Sequence, residues 1–385
     1  WSVGGGWNIH NEKFMKGSQV SLLKLRASVG YLGNINFNPY QALTTYSYNS
    51  SYFYGKGTGA TPITIGNPDL KWERTLSTNI GVDFTAFRGR VDLSADYYIK
   101  NTDNLLLDIT KAPSVGVTTS RENIGEVQNS GFELRLRTFP IQNKDWQWSL
   151  GLTYAYNKNK IKKISNSLRE QNEKNKADNG VAPLPIYEEG QSLTALKVVP
   201  SAGIDPVTGQ EIFIKRDGTY TFVYDSNDKV IFGDTNPIGT GSINSYLTYK
   251  RFALSCSFLY SFGGSLYNET LATKVEGANP KYNADERVLN DRWKTPGTIA
   301  KYKRIDDTTT PYQTSRFVEK NNFLRMSSLS LSYEVPTTFI QKYGLKRMFL
   351  ELLTNDLFYL STAKRERGLN YPYDRSFEFS VRFSL

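Results

Sequence analysis

The stretch Leu23-Lys24-Leu25-Arg26-Ala27-Ser28-Val29-Gly30-Tyr31 sets an apolar side chain at every odd position and a charged or small one at every even position. Successive side chains leave a strand on opposite sides, so strict period two marks a β-strand with one greasy and one polar face. The unit repeats outward along the chain. Leu76, Ile80, Val82, Phe84 and Ala86 alternate with polar residues, Arg88, Gly89 and Arg90 reverse the direction, and Val91, Leu93, Ala95, Tyr97 and Ile99 resume the pattern. This is a long hairpin with a tight turn. Phe132, Leu134 and Leu136 interleave with Glu133, Arg135 and Arg137, and after a turn around Asn143 come Trp146, Trp148, Leu150, Leu152, Tyr154 and Tyr156. Ile243 to Tyr249, Phe252 to Phe262, Phe323 to Val335, Arg347 to Tyr359 and Phe377 to Leu385 extend the series, with the odd positions expected on the greasy face from Phe323 onward.

Ten steps separate Trp146 from Tyr156; at about 3.3 Å each and a tilt of about 40° they project to roughly 25 Å, the height of the apolar band of a membrane barrel. The palette agrees: 14% of residues are aromatic, which suits strands and membrane interfaces, while 39% hydrophobic content is low for a large dry core. No run of 18 apolar residues exists, so no transmembrane helix is expected. A mean hydropathy of −0.47 does not argue against strands that meet lipid only at every second residue. The expected fold is therefore all-β, a transmembrane antiparallel barrel. Long polar segments at about 33–71, 101–125, 157–240, 263–320 and 360–373 alternate with short turns. In a Gram-negative outer membrane this puts Arg88 to Arg90, Asn143 and Lys250 to Arg251 on the periplasmic side and the long segments outside. Counting Trp1 to Ile9 gives eleven strands, or thirteen if Ser192 to Ile204 and Gln210 to Tyr224 form another membrane hairpin. Neither odd number suits a closed bacterial barrel, so the chain is expected to be the C-terminal portion of one.

Motifs for chemistry are sparse. Gly55, Gly57 and Gly59 around Lys56 lack the spacing of a phosphate-binding loop. Asp225 and Asn227 begin like a calcium loop, but Lys229 occupies the third ligand position; a turn is expected there, and calcium in the loops has no sequence support. His10 is the only imidazole and falls in a predicted turn, which leaves no room for a zinc site or a serine–histidine relay. Carboxylates are plentiful, so a pair contributed by distant loops stays open, yet the expectation is no enzyme, no metal and no cofactor. Cys256 is expected as a small packing residue in a strand. Tyr46, Tyr48, Tyr52, Phe53 and Tyr54 form the best candidate surface for a ligand or a lid, because aromatic faces stack on sugar rings; packing within the loop competes with that reading. Lys24, Arg26, Arg135 and Arg137 should face the lumen, as wall or plug contacts. The formal charge of +10 would suit outer-leaflet phosphates, including lipopolysaccharide.

Several stretches, taken in order, resemble the SusC-like (SusC/RagA) TonB-dependent transporters over nearly the whole chain. They are SVGGGWNIHNEKF (2 to 14), LKLRASVGYLGN (23 to 34), NPDLKWERT (67 to 75), NIGEVQNSGFEL (123 to 134), GIDPVTGQEIF (203 to 213), DRWKTPG (291 to 297) and FLRMSSLSLSYEVP (323 to 336). The resemblance implies the C-terminal part of a 22-stranded barrel whose plug and TonB-contacting segment lie in a part not contained in this chain. It further implies active import of a glycan or oligopeptide beneath a SusD-like lipoprotein, energised by TonB-ExbB-ExbD, in a dimer of transporter–lipoprotein pairs, with no nucleic acid involved. Family members commonly end in an aromatic residue, whereas Leu385 ends this chain, with Phe383 two residues before it. Phe377, Phe379, Val381, Phe383 and Leu385 are expected to form the lipid face of the last strand. A passive porin or secretion barrel, or a soluble all-β carbohydrate-binding domain, would share the alternation.

Overall fold

The computed structural model describes residues 1–35, 42–55, 57–279, 281–366 and 375–384. Leu385 and the second half of the segment expected as a loop at 360–373 lie outside these residues.

Eleven strands run in one antiparallel meander: β1 (Ser2–Asn8), β2 (Val20–Asn34), β3 (Glu73–Ala86), β4 (Val91–Thr110), β5 (Thr119–Gln142), β6 (Trp146–Ile164), β7 (Gly239–Tyr249), β8 (Phe252–Tyr267), β9 (Val318–Glu334), β10 (Arg347–Asn355) and β11 (Phe377–Ser384), each paired with the next. The short strand Tyr359–Ser361 joins β9 as the twelfth member of the sheet. Ser192 to Ile204 and Gln210 to Tyr224 do not enter this sheet. Their strands pair in two small sheets of their own, Ala195–Val198 with Val230–Asp234 and Ser201–Ile204 with Glu211–Ile214 and Tyr220–Thr221, so the eleven-strand alternative holds.

Pairing register locks the periodicity of each strand into a continuous surface. Leu25 stands opposite Val82, followed across the sheet by Ala95, Leu134, Tyr154, Gly241, Tyr260 and Leu324. A second row runs Leu247, Leu254, Leu331, Leu352 and Phe379. A one-residue slip anywhere would turn a strand inside out, so the shared row is strong evidence of one lipid-facing side. That side is open in the chain: Ile80 is 57% exposed, Leu331 46% and Phe379 66%. Apolar exposure on this scale across a whole face needs a nonaqueous neighbour. Phe377, Val381 and Phe383 share it. Cys256 lies on it between Ser245 and Leu329. Among the described residues no helix is long and apolar enough to cross a membrane.

One stretch departs from the expected parity. A register shift where Ser257 and Phe258 meet Ser328 and Met326 makes Ser327 an extra residue, so odd residues face lipid only from Leu329 to Tyr333. Beyond the bulge Leu324 and Met326 take the lipid side, while Phe323 and Arg325 turn inward; there Phe323 stacks on Tyr359 at 5.5 Å and Arg325 pairs with Asp356 at 2.5 Å. An inserted residue reverses the facing of everything after it, and period-two reading cannot foresee it. The strand expected from Arg347 to Tyr359 also breaks, because Asp356 takes a positive φ of 51°.

Connections sort by length to the two ends of the sheet. Phe87 and Arg88, with φ of 56° and 58°, and Gly89 form the turn after β3; Lys250, with φ of 52°, forms the turn after β7. Asn143 Oδ1 accepts the backbone N–H groups of Asp145 and Trp146 at 3.1 and 2.8 Å, which closes the turn after β5. At the other end β4, β5 and β6, with 20, 24 and 19 residues, outrun the roughly 9–11 residues that a membrane requires. Much of the segment 101–125, expected as a loop, is therefore strand that projects past the apolar band. It serves as a palisade for the long connections.

Candidate ligand-facing surfaces

The polar face of the sheet is a wall of coupled side chains. Arg26 binds Asp83 in a fork, with Nε and Nη2 donating at 2.8 and 3.1 Å, and reaches Asp96 on β4 at 3.0–3.1 Å and Ser94 at 3.4 Å. Gly81 makes this crossing fit: a Cβ there would lie 2.3 Å from Asp96 Oδ1 and 2.8 Å from Arg26 Cζ. Lys24 and Arg135 fall in one row, separated by Asp83 and Ser94 on the intervening strands. Three strand spacings of about 4.8 Å hold them roughly 14 Å apart. The Arg137 guanidinium lies over the Phe139 ring at 4.7 Å. The four basic residues thus line one wall, but the fold does not gather them into a single anion site.

The aromatic segment forms its own hairpin, Thr45–Tyr54 paired with Gly57–Thr64, closed by Gly55 at φ 64°. Tyr46 and Tyr48 stand opposite Pro62 and Ala60, small partners that leave their rings open. Tyr46, Tyr48, Tyr52 and Phe53 are all more than half exposed, and none takes part in a ring–ring contact among the described residues. The Tyr54 side chain lies outside the described residues.

Sequence reading missed the module that the other long connections build. Helix α1 (Asn166–Ala177) starts on Ser165, whose Oγ accepts the Leu168 N–H at 3.2 Å, and packs Leu168 with Ile109, Ile124, Ile161 and Ile164 from the projecting strands. Leu271, Ala272, Val275, Val288, Tyr302 and Phe317 form a second core. Among the described residues most buried apolar side chains sit in this module rather than in the sheet. The signals were a helix cap at Ser165 and a run of good helix formers, both hidden by polar composition.

Buried cations hold the module, Arg316, Arg292 and Lys229 among them. Arg316, 10% exposed, gives five hydrogen bonds of 2.6–2.8 Å: two to Glu211, two to Glu276 and one to the Lys301 carbonyl. Burial opposes the charge on Arg316, but the two carboxylates more than offset it and keep the guanidinium pKa above the usual arginine value. Arg292 donates to the carbonyls of Val275 and Glu276 at 2.6 and 2.8 Å, at the end of the one-turn π-helix Leu271–Glu276. Lys229 Nζ reaches the carbonyls of Asn175, Lys176 and Asp178 at 3.4, 3.1 and 2.9 Å, where its charge meets the negative end of the α1 dipole. Asp225, expected in a turn, accepts the Asn227 N–H at 2.8 Å. Lys229, at the third ligand position of the supposed calcium loop, instead caps the helix through those carbonyls. His10 Nδ1 lies 3.3 Å from the Leu23 carbonyl.

Between α1 and the projecting end of β4 lies an open cleft of about 680 Å³, floored by Leu107, Ile109, Leu168, Leu184 and Pro185 and rimmed by Gln171, Lys174 and Asp178. A greasy floor with a polar rim can hold an amphipathic ligand by burial and orient it by hydrogen bonds. Among the described residues no group of three or more histidine, cysteine or acidic side chains is arranged to hold a metal ion.

The family model described as TonB dependent receptor-like, beta-barrel matches residues 1–187. TonB-dependent receptor P39 of Formosa agariphila is 26% identical over 92% of this chain and 38% of its own length. TonB-dependent receptor SusC of Bacteroides thetaiotaomicron is 28% identical over 86% of this chain and 34% of its own. Among solved structures, the RagAB peptide importer in its closed-closed state superposes with a TM-score of 0.79 at 25% identity, over 93% of this chain and 39% of that one. Another, of the RagAB peptide transporter, gives 0.81 at 24% identity, over 94% and 40%. The chain spans roughly a third to two fifths of the length of these relatives.

Proposed function

Taking the chain as a β-barrel segment of the SusC-like TonB-dependent receptors, we propose that it belongs to an outer-membrane importer of an oligomeric nutrient, a glycan or an oligopeptide. The observation that carries this reading is the register-locked lipid face, backed by a polar wall and surmounted on the long-loop side by a module with its own packed core. A barrel wall of this kind needs no bond chemistry. It fixes the pore in lipid, and the loops meet the substrate. In this reading the long-loop end lies outside the cell, and the exposed Tyr46, Tyr48, Tyr52 and Phe53 contact substrate or a SusD-like lipoprotein lid. TonB-ExbB-ExbD, coupled through a plug elsewhere in the whole protein, drives release inward.

The test uses the full-length protein in its own membrane. Labelled oligosaccharides and oligopeptides are offered to cells with and without a proton-motive force, and the protein is purified from the outer membrane in mild detergent. The reading expects uptake that stops when the force is collapsed, together with a co-purified lipoprotein. Uptake that persists without the force would identify a passive pore, and absence of any lipoprotein would remove the lid.

A further inference from the structure

Past Tyr156, β6 continues as Asn157-Lys158-Asn159-Lys160-Ile161-Lys162-Lys163-Ile164. The register fixes which way these residues point. Lys158 stands opposite Ser130 and Lys160 opposite Gln128, two and four residues beyond the lipid-facing pair Tyr156 and Phe132, so both lysines share that face. Asn157 turns the other way and accepts a hydrogen bond from Tyr98 on the inner wall at 3.2 Å. A register shift then makes Lys162 the extra residue and sets Lys163 opposite Glu126, while Ile161 and Ile164 are buried.

All four lysines are exposed, and none of their side chains makes an ion pair or hydrogen bond among the described residues. Several neighbouring cations are by contrast neutralised: Arg74 pairs with Asp103 at 3.4 Å, Arg121 with Asp108 at 3.2 Å, and Lys111 with Glu122. Two residues of tilted strand rise about 5 Å along the membrane normal, which puts Lys158 and Lys160 roughly 5 and 10 Å above the tyrosine rim, at and just beyond headgroup depth. A column of unpaired ammonium groups there faces lipid headgroups, with Glu126 as the one acid set opposite it.

We propose that Lys158, Lys160 and Lys163 bind the phosphate group of an outer-leaflet lipid; the proposal rests on the outer-membrane reading above. An ammonium is a compact, freely rotating donor that meets phosphate as a point charge and tolerates a mobile headgroup. Each lysine beside an anionic surface strengthens attachment about fivefold, so three give on the order of a hundredfold.

Full-length protein extracted from the outer membrane is delipidated, offered lipid A with and without its phosphate, and examined by native mass spectrometry. The proposal expects the phosphorylated lipid to be retained over the dephosphorylated one. The triple variant K158Q/K160Q/K163Q should lose about a hundredfold, and K100Q, on the inner wall with its Nζ 4.8 Å from the Tyr98 ring, should lose nothing. Equal retention by the triple variant, an equal loss in K100Q, or indifference to the lipid phosphate would overturn it. Displacement of the lipid by equimolar inorganic phosphate would assign a free-anion site instead, and a wild-type dimer that falls to monomer upon lysine replacement would assign the surface to a second copy. If the wild-type protein is absent from the outer-membrane fraction, the membrane reading fails first and this proposal falls with it.

Discussion

Replacing Arg316 by methionine should loosen the module above the sheet while leaving the sheet itself folded. Arg316 joins three segments: Glu211 comes from one small sheet, Glu276 from the end of the π-helix, and Arg316 itself leads directly into β9. The side chains of Glu211 and Glu276 are 3% and 1% exposed, so methionine would leave two buried carboxylates without their cation and without four charge-assisted hydrogen bonds. Breaking a buried pair by removing one partner costs about 3–5 kcal/mol. Local opening should therefore become about two to three and a half powers of ten more frequent. Hydrogen exchange of the full-length protein in detergent reads this directly: amides of Val199, Ser315 and Phe317, bonded within the module at 3.0–3.3 Å, should speed up, and those of Leu254 and Leu331 in the sheet should not. The triple variant R316M/E211Q/E276Q removes the buried charge altogether and should recover most of the protection. Unchanged exchange in R316M, or a triple variant no better than the single one, would refute the reasoning.

Three further outcomes test other levels of the structure. Gly81→Val should prevent the crossing of Arg26 to Asp96, because its Cβ alone would sit 2.3 Å from a carboxylate oxygen; overpacking of this kind costs about 1–3 kcal/mol, seen as a lower temperature for loss of the compact barrel band on a gel. Leu331→Arg on the lipid face, one row inside the aromatic edge formed by Trp146, Tyr249, Phe252 and Tyr333, should reduce assembly by about 1–2 kcal/mol in a membrane-refolding titration, and Ser330→Arg one residue away should be tolerated, since it points to the polar wall. Burial holds the Lys229 ammonium below the usual lysine pKa, so the folded module releases this proton before the unfolded chain does. Its contribution to stability should then rise with pH between the lowered folded value and the unfolded value of about 10.4, and K229M should lack that rise when melting is followed from pH 7 to 10.

The sheet was legible because alternation is a property of each strand by itself. Leu23 to Tyr31 and Trp146 to Tyr156 can place their apolar residues on one side only, and the short turns at Arg88, Asn143 and Lys250 leave adjacent strands few ways to pair. The error at Phe323 and Arg325 has the same origin, since one inserted residue at Ser327 inverts a pattern that is otherwise correct. The aromatic hairpin was found as a composition, and its exposure could not be read until Pro62 and Ala60 stood opposite its tyrosines.

The sequence by itself determined the two-faced strands, their order and the end of the sheet at which each connection lies, because those follow from periodicity and turn chemistry over a few residues. Only the tertiary structure decided what the long connections do. Arg316 meets Glu211 across 105 positions and Glu276 across 40, and Lys229 caps a helix more than 50 residues before it. Contacts between residues so far apart leave no period in the chain.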